Sequence, residues 1–105
     1  MITETTLNEA QACVKKGATL LDRISPTWFK KVNLDKLNMQ LCSACILGQL
    51  YKDYWNGIDT LQEYFLEENF DERKYGFLTN RTSFHILNKY WIKEIQERLN
   101  NEAVS

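Results

Sequence analysis

This sequence has little in it that would interrupt a compact chain. Of its 105 residues one is proline and four are glycine, so neither a flexible linker nor a low-complexity tract is expected, and no glycine-rich loop is present to cradle a phosphate. Apolar runs reach only a few residues, which excludes a membrane span. Met1 to Asn8 carries neither the basic nor the apolar region of a secretory signal, and a cytoplasmic location is therefore expected. Three cysteines are an odd number; without an export signal they are expected to be reduced thiols rather than a disulfide framework. There is one histidine, His85, with no Ser/His/Asp arrangement and no zinc-protease helix, so the chain is not expected to be an enzyme. Basic and aromatic residues interleave in Trp28-Phe29-Lys30-Lys31, too short a stripe for direct nucleic-acid binding.

What is present has helical periods. A composition of 44% hydrophobic and 26% charged residues suits one domain over 1–105 with a modest core. Thr6-Leu7-Asn8-Glu9 has the form of a capping box. Behind it Leu7, Ala10, Val14, Gly17, Leu21 and Ile24 recur at spacings of three and four, predicting a first helix that ends near Ile24. Ser25 as N-cap and Pro26 at the first helical position predict a short helix over 26–32, with Trp28, Phe29 and Val32 inward. Residues 33–41 read as a connector. A helix from Cys42 to the Asn56-Gly57 stop signal is expected next, then one with Ile58, Leu61 and Phe65 on its apolar face. After a loop near 69–76 comes the clearest stripe, Phe84, Leu87, Trp91, Ile95 and Leu99, with an exposed Lys93/Glu97 pair. The expectation is an all-α, bundle-like domain of about five helices. Trp28, Leu47, Leu50, Tyr51, Leu61, Phe65, Leu87 and Trp91 would share its core.

The most distinctive stretch runs Cys42-Ser43-Ala44-Cys45-Ile46-Leu47-Gly48-Gln49-Leu50-Tyr51-Lys52-Asp53-Tyr54-Trp55. Wound as one helix at about 100° per residue, it gathers Ala44, Ile46, Leu47, Leu50, Tyr51, Tyr54 and Trp55 on one side. Cys42 and Cys45 fall on the other, beside Gln49, Lys52 and Asp53. Thiols at this spacing suit half of a tetrahedral zinc site, for which Cys13 and His85 are the further ligands available. They also suit a redox pair, because a helix N-terminus stabilises a thiolate, although no strand precedes them as in βαβ oxidoreductases. The plainer reading is small thiols where helices approach closely, with Gly48 letting a backbone come near. No metal or cofactor is the expectation; zinc binding or thiol redox chemistry at Cys42 and Cys45 is the alternative.

The formal net charge is −1, yet the signs are segregated. Asp53, Asp59, Glu63, Glu67, Glu68, Asp71 and Glu72 follow one another with no Lys or Arg between them. In residues 1–41, Lys15, Lys16, Arg23, Lys30, Lys31 and Lys36 outnumber Glu4, Glu9, Asp22 and Asp35. The acidic run is either a solvated face neutralised by neighbouring cations or a docking surface for a basic partner. Asp59, Glu63 and Glu67 lie four apart and could hold a cation only with a second ligand-bearing helix. If the carboxylates do not dock, Tyr54, Trp55 and Tyr64 are the aromatic candidates.

Gly17 to Ser25 with Leu20-Leu21-Asp22, then Trp28, then Leu34-Asp35-Lys36-Leu37-Asn38-Met39 running into the paired cysteines and Leu47-Gly48-Gln49-Leu50-Tyr51, resembles a group of small, largely uncharacterised proteins encoded by bacteriophages and prophages. In that group a Leu-Gly-Gln-Leu/Val-Tyr/Phe element follows paired cysteines, and a Gly-Phe pair precedes a Trp-bearing helix. Gly76-Phe77 and Asn88-Lys89-Tyr90-Trp91 stand at those places here. The resemblance spans Gly17 to Ile95 and implies a viral or prophage context; it carries over no activity and no site residues. The expected function is that of an interaction protein which binds and inhibits a host factor, of the anti-CRISPR or another anti-defence type. The acidic residues of 53–72 would meet a host protein with a basic surface, such as a nucleic-acid-binding nuclease, in the bacterial cytoplasm. Neither nucleic acid nor membrane is an expected direct partner.

Overall fold

The structure, a computed structural model, describes residues 4–65, 71–78 and 84–104. Among these residues there are five helices and no strand: α1 (Glu4–Ile24), α2 (Trp28–Lys31), α3 (Ile46–Tyr51), α4 (Tyr54–Phe65) and α5 (Phe84–Val104). The chain is all-α. The two long helices, α1 and α5, pack along each other, α3 packs on α4, and α2 touches both α5 and α3. No helix among the described residues is long and apolar enough to cross a membrane.

The predicted seam of α1 is the buried one: Ala10, Val14, Leu21 and the neighbouring Ala18 and Leu20 are all buried. Opposite them lie Leu87, Trp91 and Ile95 of α5, while Leu99 runs off the core and is exposed. Trp28 and Trp91 meet edge to face with centroids 5.8 Å apart, and Phe77 stacks on Trp91 at 5.4 Å. Edge-to-face and offset-stacked pairs both add to the area they bury, because a ring's edge is positive and its face negative. The polar ends of both indoles are satisfied: Trp91 Nε1 donates to the Gly76 carbonyl at 2.7 Å and Trp28 Nε1 to Asp22 Oδ1 at 2.8 Å. Of the expected core, Trp28, Leu47, Leu61, Leu87 and Trp91 are buried together, with Leu50 and Tyr51 half-buried against them. The Phe65 side chain lies outside the described residues.

A charged network ties α1 to α5 above this core. Arg98 grips Asp22 with two bonds, Nε to Oδ1 at 3.0 Å and Nη2 to Oδ2 at 2.9 Å, a fork that matches the carboxylate plane. Its Nη1 donates to Glu94 Oε1 at 3.0 Å, and Lys15 Nζ reaches Glu94 Oε2 at 3.3 Å. Glu94, only 4% exposed, thus has a cation on each carboxylate oxygen. The guanidinium lies 5.6 Å from the Trp28 ring centroid. Desolvation alone would raise the Asp22 pKa, but the bonds from Arg98 and Trp28 and the Arg98 charge outweigh it and hold that carboxyl below its ordinary value.

Four sequence expectations shift in register. Thr6 lies inside α1, not at its N-cap; a capping preference of about 1 kcal/mol does not stop a helix that the preceding residues can extend. The second helix begins at Trp28, not Pro26, because the Ser25 N–H closes α1 on the Leu21 carbonyl at 2.8 Å and its own carbonyl accepts from Trp28 N at 2.9 Å. The expected single helix from Cys42 to Gly57 is two shorter ones. It starts later, at Ile46, and breaks at Lys52, whose φ of 80° reverses the chain. Asn56 and Gly57 do not stop a helix but lie inside α4. Gly57 is needed there for contact, since a Cβ would come within 2.7 Å of Leu47 Cβ.

The 33–45 connector has no regular structure and is held by two amide side chains. Gln49 on α3 accepts from Asn33 N at 2.7 Å and donates to the carbonyls of Asn33 and Ala44 at 3.2 and 3.1 Å. Asn88 on α5 accepts from Met39 N at 2.9 Å and donates to the Leu37 carbonyl at 3.1 Å. Each amide supplies the donor and acceptor that a sheet partner would.

Candidate interaction site

The paired cysteines form a turn, not a helix. Leu41 O accepts from both Ala44 N and Cys45 N, at 3.2 and 3.0 Å. Cys45 then serves as N-cap of α3: its Sγ accepts from Gly48 N at 3.2 Å. The expectation that both thiols lie on the polar side is corrected, because Cys42 is exposed while Cys45 is 2% exposed and part of the core. Helical phase fails here because residues 42–45 are not helical. The close approach assigned to Gly48 is found: a Cβ there would stand 2.1 Å from the Cys42 carbonyl oxygen, which accepts from Tyr54 N at 2.9 Å.

Burial pushes the Cys45 thiol above its ordinary pKa against the opposing bond from Gly48, and burial likewise raises Cys13 on α1. Both are therefore held in the protonated form, the weaker nucleophile and ligand. His85 is exposed near the start of α5. Among the described residues no three His, Cys, Asp or Glu side chains converge on a point that could hold a metal ion.

The acidic run is divided among three tasks. Asp53 caps α4, its Oδ1 accepting from Asn56 N at 2.9 Å, and Asp71 Oδ1 accepts from Arg73 N at 3.0 Å. Asp59 and Glu63 are exposed on the side of α4 away from the buried Ile58 and Leu61. They line a groove of about 510 Å³ together with Tyr51, Lys52, Asn56 and Thr60. Glu72 is half-buried and reaches a different place, an apolar cleft. Glu67 and Glu68 lie outside the described residues.

That cleft, of about 190 Å³, opens between the cysteine turn, the first residues of α4, the 72–78 segment and Phe84. Leu41 and Trp55 stand at it with 51% and 67% of their surfaces exposed. The phase of one continuous helix places both Tyr54 and Trp55 inward; the break at Lys52 resets it, so that Tyr54 is buried and Trp55 faces out. The two rings meet edge to face at 5.2 Å. Tyr54 is 8% exposed and its hydroxyl is the one buried side-chain polar atom among the described residues that lacks a hydrogen bond. Burial, and after it the nearby Glu72 carboxylate, raises its pKa strongly, and no group meets hydrogen-bond geometry with the hydroxyl. A protonated phenol beside a carboxylate in an apolar setting is a polar group that has not found its full complement. Nothing in the apolar periodicity marks Leu41 as exposed, since residues 33–41 read only as a connector.

Comparisons with protein-family models, with curated proteins and with solved structures find no match to this chain. The site is therefore read from its own geometry.

Proposed function

We propose that this chain is a non-enzymatic interaction protein, phage-encoded, that inhibits a bacterial host factor by docking on it through the Leu41/Trp55 cleft and the carboxylates around it. The observation that carries the reading is the exposure of Trp55 and Leu41 at a single cleft. Tryptophan is enriched among the side chains that anchor interfaces, and large apolar side chains left in water at one place mark candidate interaction sites. Glu72 lines the cleft and supplies negative charge there, while Asp59 and Glu63 stand about one and two turns on from Trp55 along α4, at a separate groove. That charge selects a partner with a basic surface and speeds its approach. A nucleic-acid-binding nuclease of a defence system has such a surface, so the reading is of the anti-CRISPR or another anti-defence type. The phage context rests on the sequence resemblance alone. The alternative, metal or thiol chemistry at Cys42 and Cys45, is disfavoured by the burial that keeps Cys45 protonated.

The test is plaque formation by a targeted phage on bacteria whose CRISPR interference is active, with and without the chain expressed. Protection of the phage is expected, and Trp55→Ala should abolish it at unchanged protein level. Failure to protect against every interference type tried would overturn the anti-CRISPR reading. Protection that survives both Trp55→Ala and the joint reversal of Asp59 and Glu63 to Lys would overturn the docking surface.

A further inference from the structure

We propose that the cleft at Trp55 receives an arginine side chain of the partner, its stem against the apolar lining and its guanidinium between the Glu72 carboxylate and the Trp55 ring. The inference rests on the docking reading above and names the residue that docks. The cleft, of about 190 Å³, is smaller than the roughly 300 to 1,000 Å³ of pockets that take a whole small molecule. It suits one long side chain. Met39 and Phe77, 4% and 1% exposed, are its buried apolar lining, and Leu41 and Trp55 stand open at it. The edge-to-face contact with Tyr54 leaves most of the Trp55 surface in solvent.

Two polar groups interrupt this lining and decide the occupant. Glu72 is half-buried there and makes no ion pair among the described residues. Arg73, next to it in the chain, is exposed and does not line the cleft. The Tyr54 hydroxyl, buried near the Glu72 carboxylate, has no hydrogen bond, so a phenol donor is available to brace that carboxylate from the protein side. Any occupant that closes the cleft takes Glu72 further out of water. Under a leucine or phenylalanine side chain the carboxylate would become a buried charge without a counter-ion, at a cost that the apolar contact does not return. A cation removes that cost. Of the two long cationic side chains, arginine is the more weakly hydrated and the one whose planar head both forks onto a carboxylate and stacks on an aromatic face. Sequence reading passed over this role because Glu72 stands at the end of the 53–72 acidic run; only the fold turns it to the cleft while Asp59 and Glu63 line another groove.

The test is a two-dimensional NMR titration of the full chain with N-acetyl-arginine amide, followed at the Trp55 indole N–H and at the Leu41 and Cys42 amides. A saturable shift confined to the cleft is expected. N-acetyl-lysine amide should bind about two- to fivefold more weakly, the share of stacking on the ring, and N-acetyl-leucine amide should not saturate. Glu72→Gln should weaken arginine binding about tenfold or more with the thermal transition unchanged, and Trp55→Leu, followed at the amides, about two- to fivefold. The joint change Asp59→Asn/Glu63→Gln should leave it intact. The proposal is overturned by an absence of saturable shift, by a lysine or leucine amide that binds as tightly, or by indifference to Glu72→Gln. Phage protection that depends on Trp55, in a chain whose cleft binds no arginine, removes this inference and leaves the docking reading. Arginine binding in the cleft of a chain that protects no phage supports this inference and removes the anti-CRISPR reading alone.

Discussion

Where α1 meets α5, polar groups are buried with their partners; where α4 begins, one is buried without. In the first region Trp28, Asp22, Arg98 and Glu94 close on one another through bonds of 2.8 to 3.1 Å, and Trp91 Nε1 is satisfied by the Gly76 carbonyl at 2.7 Å. In the second, Tyr54 holds a hydroxyl with no hydrogen bond, and Trp55 and Leu41 stand exposed beside it. A fully satisfied buried network rigidifies a fold, whereas an unsatisfied group under an exposed aromatic costs stability that folding alone does not recover. The first region holds the molecule together; the second is the one that the proposed function assigns to a partner.

That contrast breaks most sharply in the core. Trp91→Ala should cost about 3 to 5 kcal/mol in a urea titration, because the ring is fully buried between Trp28 and Phe77. Leu47→Ala, at a buried position against Gly57, should cost about 2 to 5 kcal/mol. The half-buried Leu50 next to it should cost clearly less when cut to Ala. Equal losses would mean that α3 sits deeper than its burial pattern indicates.

Asn88→Ala should cost about 1 to 3 kcal/mol, since it strips partners from Met39 N and the Leu37 carbonyl together. Hydrogen exchange should rise at Met39 in the same variant. At Cys45 the expected order is Ser above Ala. Serine keeps an acceptor for Gly48 N, and Ala should lose about 0.5 to 2 kcal/mol as other N-caps do. The double variant Cys42→Ser/Cys45→Ser should still unfold cooperatively.

Acid titration tests the charged network. The Asp22 carboxyl lies below its ordinary value in the folded chain, so its contribution is complete above the unfolded value of about 3.9. It is lost as pH falls through the lower, folded value. The urea midpoint should drop in that acid window, and Asp22→Asn should flatten this part of the profile. The smallest effect belongs to the open region: Trp55→Ala should change stability by no more than about 0.5 kcal/mol, as exposed substitutions do. A large loss there would show that Trp55 is part of the core and would remove the contrast.

The amino-acid sequence by itself determined the all-α class, the seam of α1 and the Leu87/Trp91/Ile95 stripe of α5, because long amphipathic helices declare their buried faces through a period that needs no knowledge of the partner. It also marked Gly48 as a place of close approach. Tertiary structure decided the middle of the chain. Where helices are only four to six residues long, a single left-handed residue such as Lys52 or a sulfur cap such as Cys45 resets the phase. Every inside-or-outside assignment beyond that point then changes with it, which is how Cys45 went in and Trp55 came out. Which carboxylates stand exposed was likewise beyond the sequence, since Asp53 and Asp71 are engaged by backbone amides three and two residues on, respectively, while Asp59 and Glu63 are left to solvent by the orientation of α4. A run of like charges has no period to reveal its face; only the packing of Ile58 and Leu61 against the rest of the molecule turns that side of the helix outward.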